Sequence, residues 1–258
     1  TADAVNLCTG ELISASTDST GDGHGWLTAA GCDMVETKPA LVPLVSREEW
    51  VMGLQGLSLK NVRLTLTRPG TKPKVLYTEL GEMLFTHFGV SGPLVLSASS
   101  YWEDGAALTI DLKPALSPEQ LDARILRDIG AAGKKRLGTV LDGLYPQRLS
   151  EAMAGLLGLD ARKLACELTR EERAKLVQTT KALTVPIAGT RPIAEAIVTR
   201  GGLSVKDVSP GTMAVKAMPG LYAAGELLDL DALTGGFNLQ IAFSTGYVAG
   251  RAAARGDE

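Results

Sequence analysis

The spacing of hydrophobic and polar positions changes three times along this chain. Ala4-Val5-Asn6-Leu7-Cys8 reads as a short buried strand, entered abruptly at the first residues. A Gly/Ser/Thr-rich loop over Thr9–Asp22 follows. A helix is expected over Gly25–Ala30, stopping at Gly31, a residue suited to the left-handed position after a helix. Pro39 and Pro43 then mark a change of organisation.

Between 41 and 112 the period is two. Val62, Leu64 and Leu66 alternate with Arg63, Thr65 and Thr67, the pattern of a half-buried strand. Val75–Leu80 and Met83–Phe88 predict two further short strands split by Gly81-Glu82, and Leu108, Ile110 and Leu112 alternate again. Strands at this spacing predict a small barrel or sandwich. From 117 to 180 the period becomes helical. Ser117-Pro118-Glu119-Gln120 combines an N-cap, a first-turn proline and a capping-box glutamine. Three apolar stripes follow: Leu121/Ile125/Ile129, Leu137/Val140/Leu141/Leu144 and Leu149/Met153/Leu156/Leu157. Thr169-Arg170-Glu171-Glu172 opens another helix, to about Thr180. The end of the chain returns to strands, at Leu183–Ile187 and Leu221–Ala224, and closes on a small-residue helix over Asn238–Ala254. The two ends share one style and the middle has another. This predicts a discontinuous α/β outer domain, residues 1–40 and 191–258, interrupted by an insert over 41–190. Within the insert, a β-barrel (41–115 and 181–190) carries a helical array (116–180).

Net charge is −3 and the longest basic run is Lys134-Lys135-Arg136, so no positive face for nucleic acid is expected. Cys8, Cys32 and Cys166 lack CxxC spacing, as in a reduced, cytoplasmic protein without a disulfide frame or zinc site. No apolar run approaches a membrane span, and no signal peptide is visible. HExxH, Walker A, metal-ligand and nucleophile-elbow patterns are absent from the sequence.

The chemistry concentrates in Gly220-Leu-Tyr-Ala-Ala-Gly-Glu226, followed by Asp229, Asp231 and Thr234-Gly-Gly-Phe-Asn-Leu-Gln240. A buried strand ends at Gly225, where backbone must approach something closely, and Glu226 presents a carboxylate able to accept hydrogen bonds from sugar or polyol hydroxyls. Gly235-Gly236 then opens a helix whose free N–H groups and positive end point to the same place. The plain alternative is a tight strand–helix turn with an incidental acid. Val198-Thr199-Arg200-Gly201-Gly202-Leu203 reads as a Thr-x-Gly-Gly turn that becomes informative when paired with the later element. His87 is either a proton donor beside a cofactor or a hydrogen-bonded histidine ending a barrel strand. His24 reads as a surface or helix-start residue, and Asp229 and Asp231 as substrate ligands or solvated loop acids.

This order resembles the C-terminal FAD-binding half of glutathione-reductase-type flavoproteins, and the whole chain resembles the BaiN/YhiN-like NAD(P)/FAD-dependent oxidoreductases. The similar stretches are STGDG (19–23), KPALVPLV (38–45), GEMLFTHFGVSGPLVLSAS (81–99), AIVTRGGLSVKDVSPGTM (196–213) and GLYAAGELLDLDALTGGFNLQIAFSTGYVAG (220–250). The resemblance implies an FAD-binding α/β domain with a barrel-and-helix insert. It places Glu226 at the ribityl chain or adjoining phosphate, and Gly225 beside it. Gly235, Gly236, Phe237, Asn238 and Leu239 would approach the flavin ring and pyrophosphate, and Thr199, Gly201 and Gly202 would lie beside them. Thr9 and Gly10 would lie near the dinucleotide. It implies FAD, with NAD(P)H as electron source, and a small-molecule substrate. The family opens with a strand and a GxGxxG turn; these 258 residues contain only the partial lookalike Gly21-Asp-Gly-His-Gly25. The expectation is therefore an oxidoreductase missing its first nucleotide-binding element, with weak FAD binding by this chain alone. Apolar surface at 4–8 and 241–249 would then be exposed and prone to self-association. The alternative is a non-catalytic fragment or binding module with an incomplete flavin site.

Overall fold

A computed structural model describes residues 2–10 and 20–255. The expected loop residues 11–19 lie outside the described residues. In chain order the strands are β1 (Val5–Leu7), β2 (Met34–Ala40), β3 (Leu44–Val45), β4 (Ser58–Arg68), β5 (Lys74–Thr86), β6 (Gly89–Ser91), β7 (Ala107–Asp111), β8 (Leu183–Val185), β9 (Gly189–Thr190), β10 (Val198–Leu203) and β11 (Leu221–Ala223). The helices are α1 (Asp22–Ala29), α2 (Glu49–Gly53), α3 (Pro93–Ser99), α4 (Pro118–Ala132), α5 (Leu137–Asp142), α6 (Gln147–Leu157), α7 (Arg170–Lys181) and α8 (Phe237–Arg255). The chain divides into two compact units. One comprises Thr1–Leu44, Val95–Ser100 and Thr190–Glu258; the other comprises Val45–Leu94 and Tyr101–Gly189.

The second unit is built on one seven-stranded sheet of order β8-β7-β4-β5-β6-β3-β9. The period-2 pattern of β4 buries Leu59, Val62, Leu64 and Leu66 on one face and leaves the intervening residues outward. Leu108 and Ile110 of β7 and Leu183 and Val185 of β8 bury the same face. The two strands expected at Val75–Leu80 and Met83–Phe88 are instead one continuous strand, β5. Gly81 does not break it: Gly81 pairs with Val62, and a Cβ there would stand 3.1 Å from the Leu94 side chain. The glycine is a space for leucine packing, not a turn. The hydrogen bonding leaves the sheet open between β8 and β9, so the barrel is not closed. Yet only residues 186–188 join those two edge strands. Seven flat strands would set the edges about 29 Å apart, while so short a link spans at most ~14 Å, so the sheet is rolled.

The helical segment follows its sequence signals closely. Ser117 and Thr169 cap α4 and α7 through reciprocal capping boxes with Gln120 and Glu172. Leu121 and Ile125, Leu137, Val140 and Leu141, Leu149 and Met153, and Leu176 and Val177 form the buried faces. Leu156, expected in the third stripe, is exposed. The helices are joined to the sheet by the Leu112 N–H donating to the Thr180 carbonyl (2.9 Å). The buried Tyr145 and Thr180 hydroxyls share a hydrogen bond, and burial pushes the Tyr145 phenol up to about 12.

In the first unit, β1 pairs in parallel with β11, and β10 pairs antiparallel with β2. β11 alternates its contacts: Leu221 and Ala223 face a core of Leu27, Leu203, Val215, Leu227 and Leu228, while Tyr222 and Ala224 pack with Ala249 of α8. Burial on both faces is the usual condition of a parallel strand. β1 differs, since Val5 and Asn6 are exposed. Among the described residues of this unit, parallel pairing is seen between β1 and β11 and at a single bridge from Leu203 to Leu228. Two further differences from the sequence reading are local. α1 starts at Asp22, three residues earlier than expected, because Gly21 takes a left-handed conformation (φ 79°) immediately before it. Residues 198–203 form a strand where a turn was expected, and β2 is a strand despite Pro39.

Leu64 sits at the centre of the sheet with no solvent exposure. Leu64→Ala is expected to cost about 2–5 kcal/mol, read as a lower urea midpoint with an unchanged slope.

Candidate functional site

The site grows from the end of β11. The Ala224 N–H donates to the Leu7 carbonyl (3.1 Å), extending the parallel pairing by one residue. Gly225 then turns with φ 71°, and its N–H donates to the Thr245 hydroxyl of α8 (2.9 Å). Thr245 in turn donates to the Ile241 carbonyl (2.7 Å), so the strand tip is bolted to the helix. Glu226 follows in a short 3-10 turn, half-buried. Its carboxylate has no hydrogen bond or ion pair among the described residues, and burial raises its pKa.

β10 reaches the same turn. Leu203 forms a parallel bridge with Leu228, and the Asp229 N–H donates to the Leu203 carbonyl (2.8 Å). The loop after Glu226 is then held at three points. Asp231 lies 4.0 Å from Arg200, whose guanidinium also donates to the Ser100 carbonyl (2.6 Å). The Asn238 amide brackets Ala232, donating to its carbonyl and accepting from its N–H, both at 2.8 Å. The Thr234 and Ser97 hydroxyls meet at 3.3 Å. Burial raises the Asp231 pKa; Arg200 opposes the rise and Asp229 adds to it.

The glycines singled out by sequence fall into two groups. Gly201 and Gly202 are required by the protein's own packing. A Cβ on Gly201 would lie 2.4 Å from the Glu36 carbonyl oxygen of β2, and one on Gly202 would lie 2.6 Å from the Leu227 carbonyl oxygen. Both have positive φ, at a register shift in β10. Gly225 and Gly236 are different. Their φ values are also positive, but the nearest atom to a Cβ is 3.8 Å away at Gly225, and nothing lies within 4 Å at Gly236. Gly235 has only the Phe237 ring nearby. Backbone at 225 and 235–236 is thus open to close approach by a ligand, while 201–202 is filled from within.

The structure brings Gly225, Glu226, Gly202 and the loop to α8 together. Thr9 joins them from the first strand: its hydroxyl occupies the place where a Gly23 side chain would begin, and Gly10 leaves with φ 73°. Thr199 is buried in β10. Phe237 and Leu239 project into solvent from the first turn of α8, whereas the Asn238 side chain is committed to Ala232. His87 is in the other unit, exposed and edge-on to Phe88 (4.9 Å between ring centres).

Several members had no usable sequence signal. His24 stands in the first turn of α1, as the sequence allowed, but it is turned inward: among the described residues neither ring nitrogen has a hydrogen-bond partner or solvent contact, Nε2 lies against Gly202, and burial lowers its pKa. Ser97 and Thr245 act through single hydroxyls far apart in sequence. Arg200 lay inside the Thr-x-Gly-Gly stretch, but nothing there announced its partners at 100 and 231. Among the described residues, no three His, Cys, Asp or Glu side chains are placed to hold a metal, and no helix is long and apolar enough to cross a membrane.

Known proteins can now be set beside this geometry. Residues 38–198 match the family model described as HI0933-like protein barrel and H2TH domain. Over 98% of its length the chain is 30% identical to a 3-dehydro-bile acid delta(4,6)-reductase of Clostridium scindens, of which it covers 62%. Over 93% of its length it is 31% identical to a ribosomal RNA dihydrouridine synthase of Haemophilus influenzae and 30% identical to one of Escherichia coli, covering 58% of each. The chain therefore spans about three fifths of the length of these relatives.

Two outcomes test the local geometry. Gly202→Ala meets both a positive φ and a backbone oxygen, and is expected to destabilise the protein by about 2–4 kcal/mol. Glu226 has a folded pKa above its unfolded one, so at low pH it is protonated in both states and costs nothing. As pH rises the unfolded chain ionises first, and the buried carboxylate then opposes folding. Glu226→Gln is expected to raise the thermal midpoint near pH ~7.5, with the gain vanishing near pH ~3.5, as followed by circular dichroism.

Proposed function

Because the chain belongs to the HI0933-like family of BaiN/YhiN-type flavoproteins, we propose that it forms the greater part of an FAD-dependent oxidoreductase. Its flavin would lie against the Gly225–Glu226 turn and the start of α8. One observation carries this reading: the Glu226 carboxylate is half-buried and unpartnered between two segments of backbone that glycine keeps open. Partial burial strips part of the hydration from this carboxylate, and the hydroxyls of a ligand would replace the lost donors. The hydroxyls of a ribityl chain are such donors. The first turn of α8 offers free N–H groups and the positive end of a 19-residue helix to an electron-rich ring edge or a pyrophosphate. FAD supplies hydride transfer when bound. The protein holds the sugar side through Glu226, fixes the loop geometry through Arg200, Asn238 and Thr234, and keeps backbone clear at 225 and 235–236.

The outer unit, with its β1–β11 pair between α1 and α8, is proposed as part of a glutathione-reductase-like FAD domain; the sequence limits 1–40 and 191–258 are proposed for that domain, although the compact unit also takes in residues 41–44 and 95–100. Val5 of β1 and, separately, Leu239, Phe243 and Tyr247 of α8 are exposed apolar side chains on which the remainder of that domain would pack. Without that cover the chain would self-associate. Thr9, Gly10, Thr199, Gly201 and Gly202 are proposed as supports of the cofactor site. His87, read from the sequence as either a proton donor or a strand-end histidine, is exposed at the end of β5, where it suits the second role. NAD(P)H is proposed as electron source, the cytoplasm as location, and a small organic molecule as substrate. A delta(4,6)-reductase and a dihydrouridine synthase both carry names denoting saturation of a carbon–carbon double bond. The proposed reaction is hydride delivery to a double bond conjugated with a carbonyl.

Full-length protein is expected to purify with visible flavin absorbance and to oxidise NADPH in the presence of a conjugated enone. Glu226→Gln should weaken FAD binding about tenfold, and the 258-residue chain alone should bind FAD poorly. A colourless full-length protein that takes up no added FAD would favour the binding-module reading.

A further inference from the structure

A separate feature lies in the second unit, on the outward face of its sheet. β4 carries a bulge: Leu59 pairs with Met83 and Val62 with Gly81, so one residue on β4 has no counterpart. Asn61 takes the left-handed conformation there (φ 54°). The extra residue keeps both Leu59 and Val62 buried while turning Lys60, Asn61 and then Arg63 outward in close succession. A bulge used in this way re-aims side chains.

Opposite this face runs the connection from β7 to α4. It is fixed rather than loose. Lys181 pairs with Asp111 (2.6 Å) and donates to the Lys113 and Leu116 carbonyls (3.0 and 2.7 Å). The Lys113 N–H caps back onto Asp111 (2.9 Å). Between the two walls is a cleft of about 530 Å³. Lys60, Asn61, Arg63, Lys113 and Arg124 supply its polar lining, Leu80 flanks them, and no acidic residue lines it. Lys60, Arg63 and Lys113 make no ion pair among the described residues, although Lys163, Arg173 and Lys181 in the same unit each have a carboxylate partner. Lys113 instead lies 5.9 Å above the Tyr145 ring. Burial, and then the charge of Arg124, hold its pKa below the usual lysine range. Lys113 and Arg124 thus sit together in a partly desolvated cleft, with Arg124 anchored by Asp128 (3.4 Å), which does not line the cleft, and by the Gly143 carbonyl (3.2 Å).

We propose that this cleft binds a phosphate-bearing anion. The lining has four cations on two walls; Lys60, Arg63 and Lys113 have no ion pair among the described residues, and the Arg63 guanidinium suits the paired oxygens of phosphate. A single carboxylate would leave most of that charge unmatched, whereas a pyrophosphate group or successive phosphates of an RNA backbone match it. The inference stands apart from the flavin reading, because every residue it uses lies in the second unit.

The test measures binding of two probes to the purified protein: inorganic pyrophosphate by calorimetry, and a short RNA hairpin by fluorescence anisotropy across a salt series. The variant is Lys60→Met/Arg63→Met/Lys113→Met, with folding checked by circular dichroism. Arg162→Ala/Lys175→Ala, which removes cations of the same unit outside the cleft, is the control. Lys113→Arg should retain binding. The expected result is saturable binding of at least one probe, weakened tenfold or more by the triple variant and unchanged in the control. Pyrophosphate binding without RNA binding identifies a small phosphorylated ligand. RNA binding whose salt dependence flattens in the triple variant identifies a nucleic-acid backbone. Binding of neither probe, or equal loss in control and triple variant, overturns the proposal.

Discussion

The outer unit depends on a contact too close for any side chain. The backbone of β10 passes the turn after β11 so tightly that the Gly202 α-carbon faces the Leu227 carbonyl without room for one more carbon. From this contact follow the Leu203–Leu228 bridge, the seating of Leu227 against α1, and the direction in which Glu226 leaves the strand. On the opposite side, Gly201 admits the β2 carbonyl. Two neighbouring glycines therefore lock three segments together, and the site inherits its geometry from that lock.

Rigidity in the frame is set against unmet polarity in the site. The loop from 229 to 234 is tied at each end and in its middle, and the strand tip is fastened to α8 through Thr245. Within this frame Glu226 and Asp231 are both held where burial disfavours their charge, and His24 has no partner for either nitrogen among the described residues. A hydrogen-bonded frame around groups that lack partners is the arrangement expected of a preorganised binding site.

The legible features were those encoded by local chemistry. Capping boxes at Ser117 and Thr169, the alternation of Val62, Leu64 and Leu66, and the apolar helical stripes are short-range signals, and the chain folds according to them. Glycines were ambiguous. Gly81 looked like a break and is a packing space inside a strand; Gly201 and Gly202 looked like a turn and are a strand bulge. What a glycine does depends on which distant segment approaches it, and no local pattern carries that information. For the same reason Ser97, Thr245, His24 and the unpaired cations at 60, 63 and 113 emerge only when the chain is folded.

The rolled sheet has one further consequence. β7 and β8 are neighbours in space, yet α4, α5, α6 and α7 all lie between them in sequence. Pairing them directly from an open chain would carry the entropy of closing a long loop. Helices form quickly from local contacts, and once α4 and α7 pack together the loop shortens to their two ends. The carbonyl of Thr180, at the end of α7, then meets Leu112, at the end of β7. The helical excursion thus acts as a folding clasp. In the folded chain it seats β8 at its edge, and residues 186–188 tie that edge to β9.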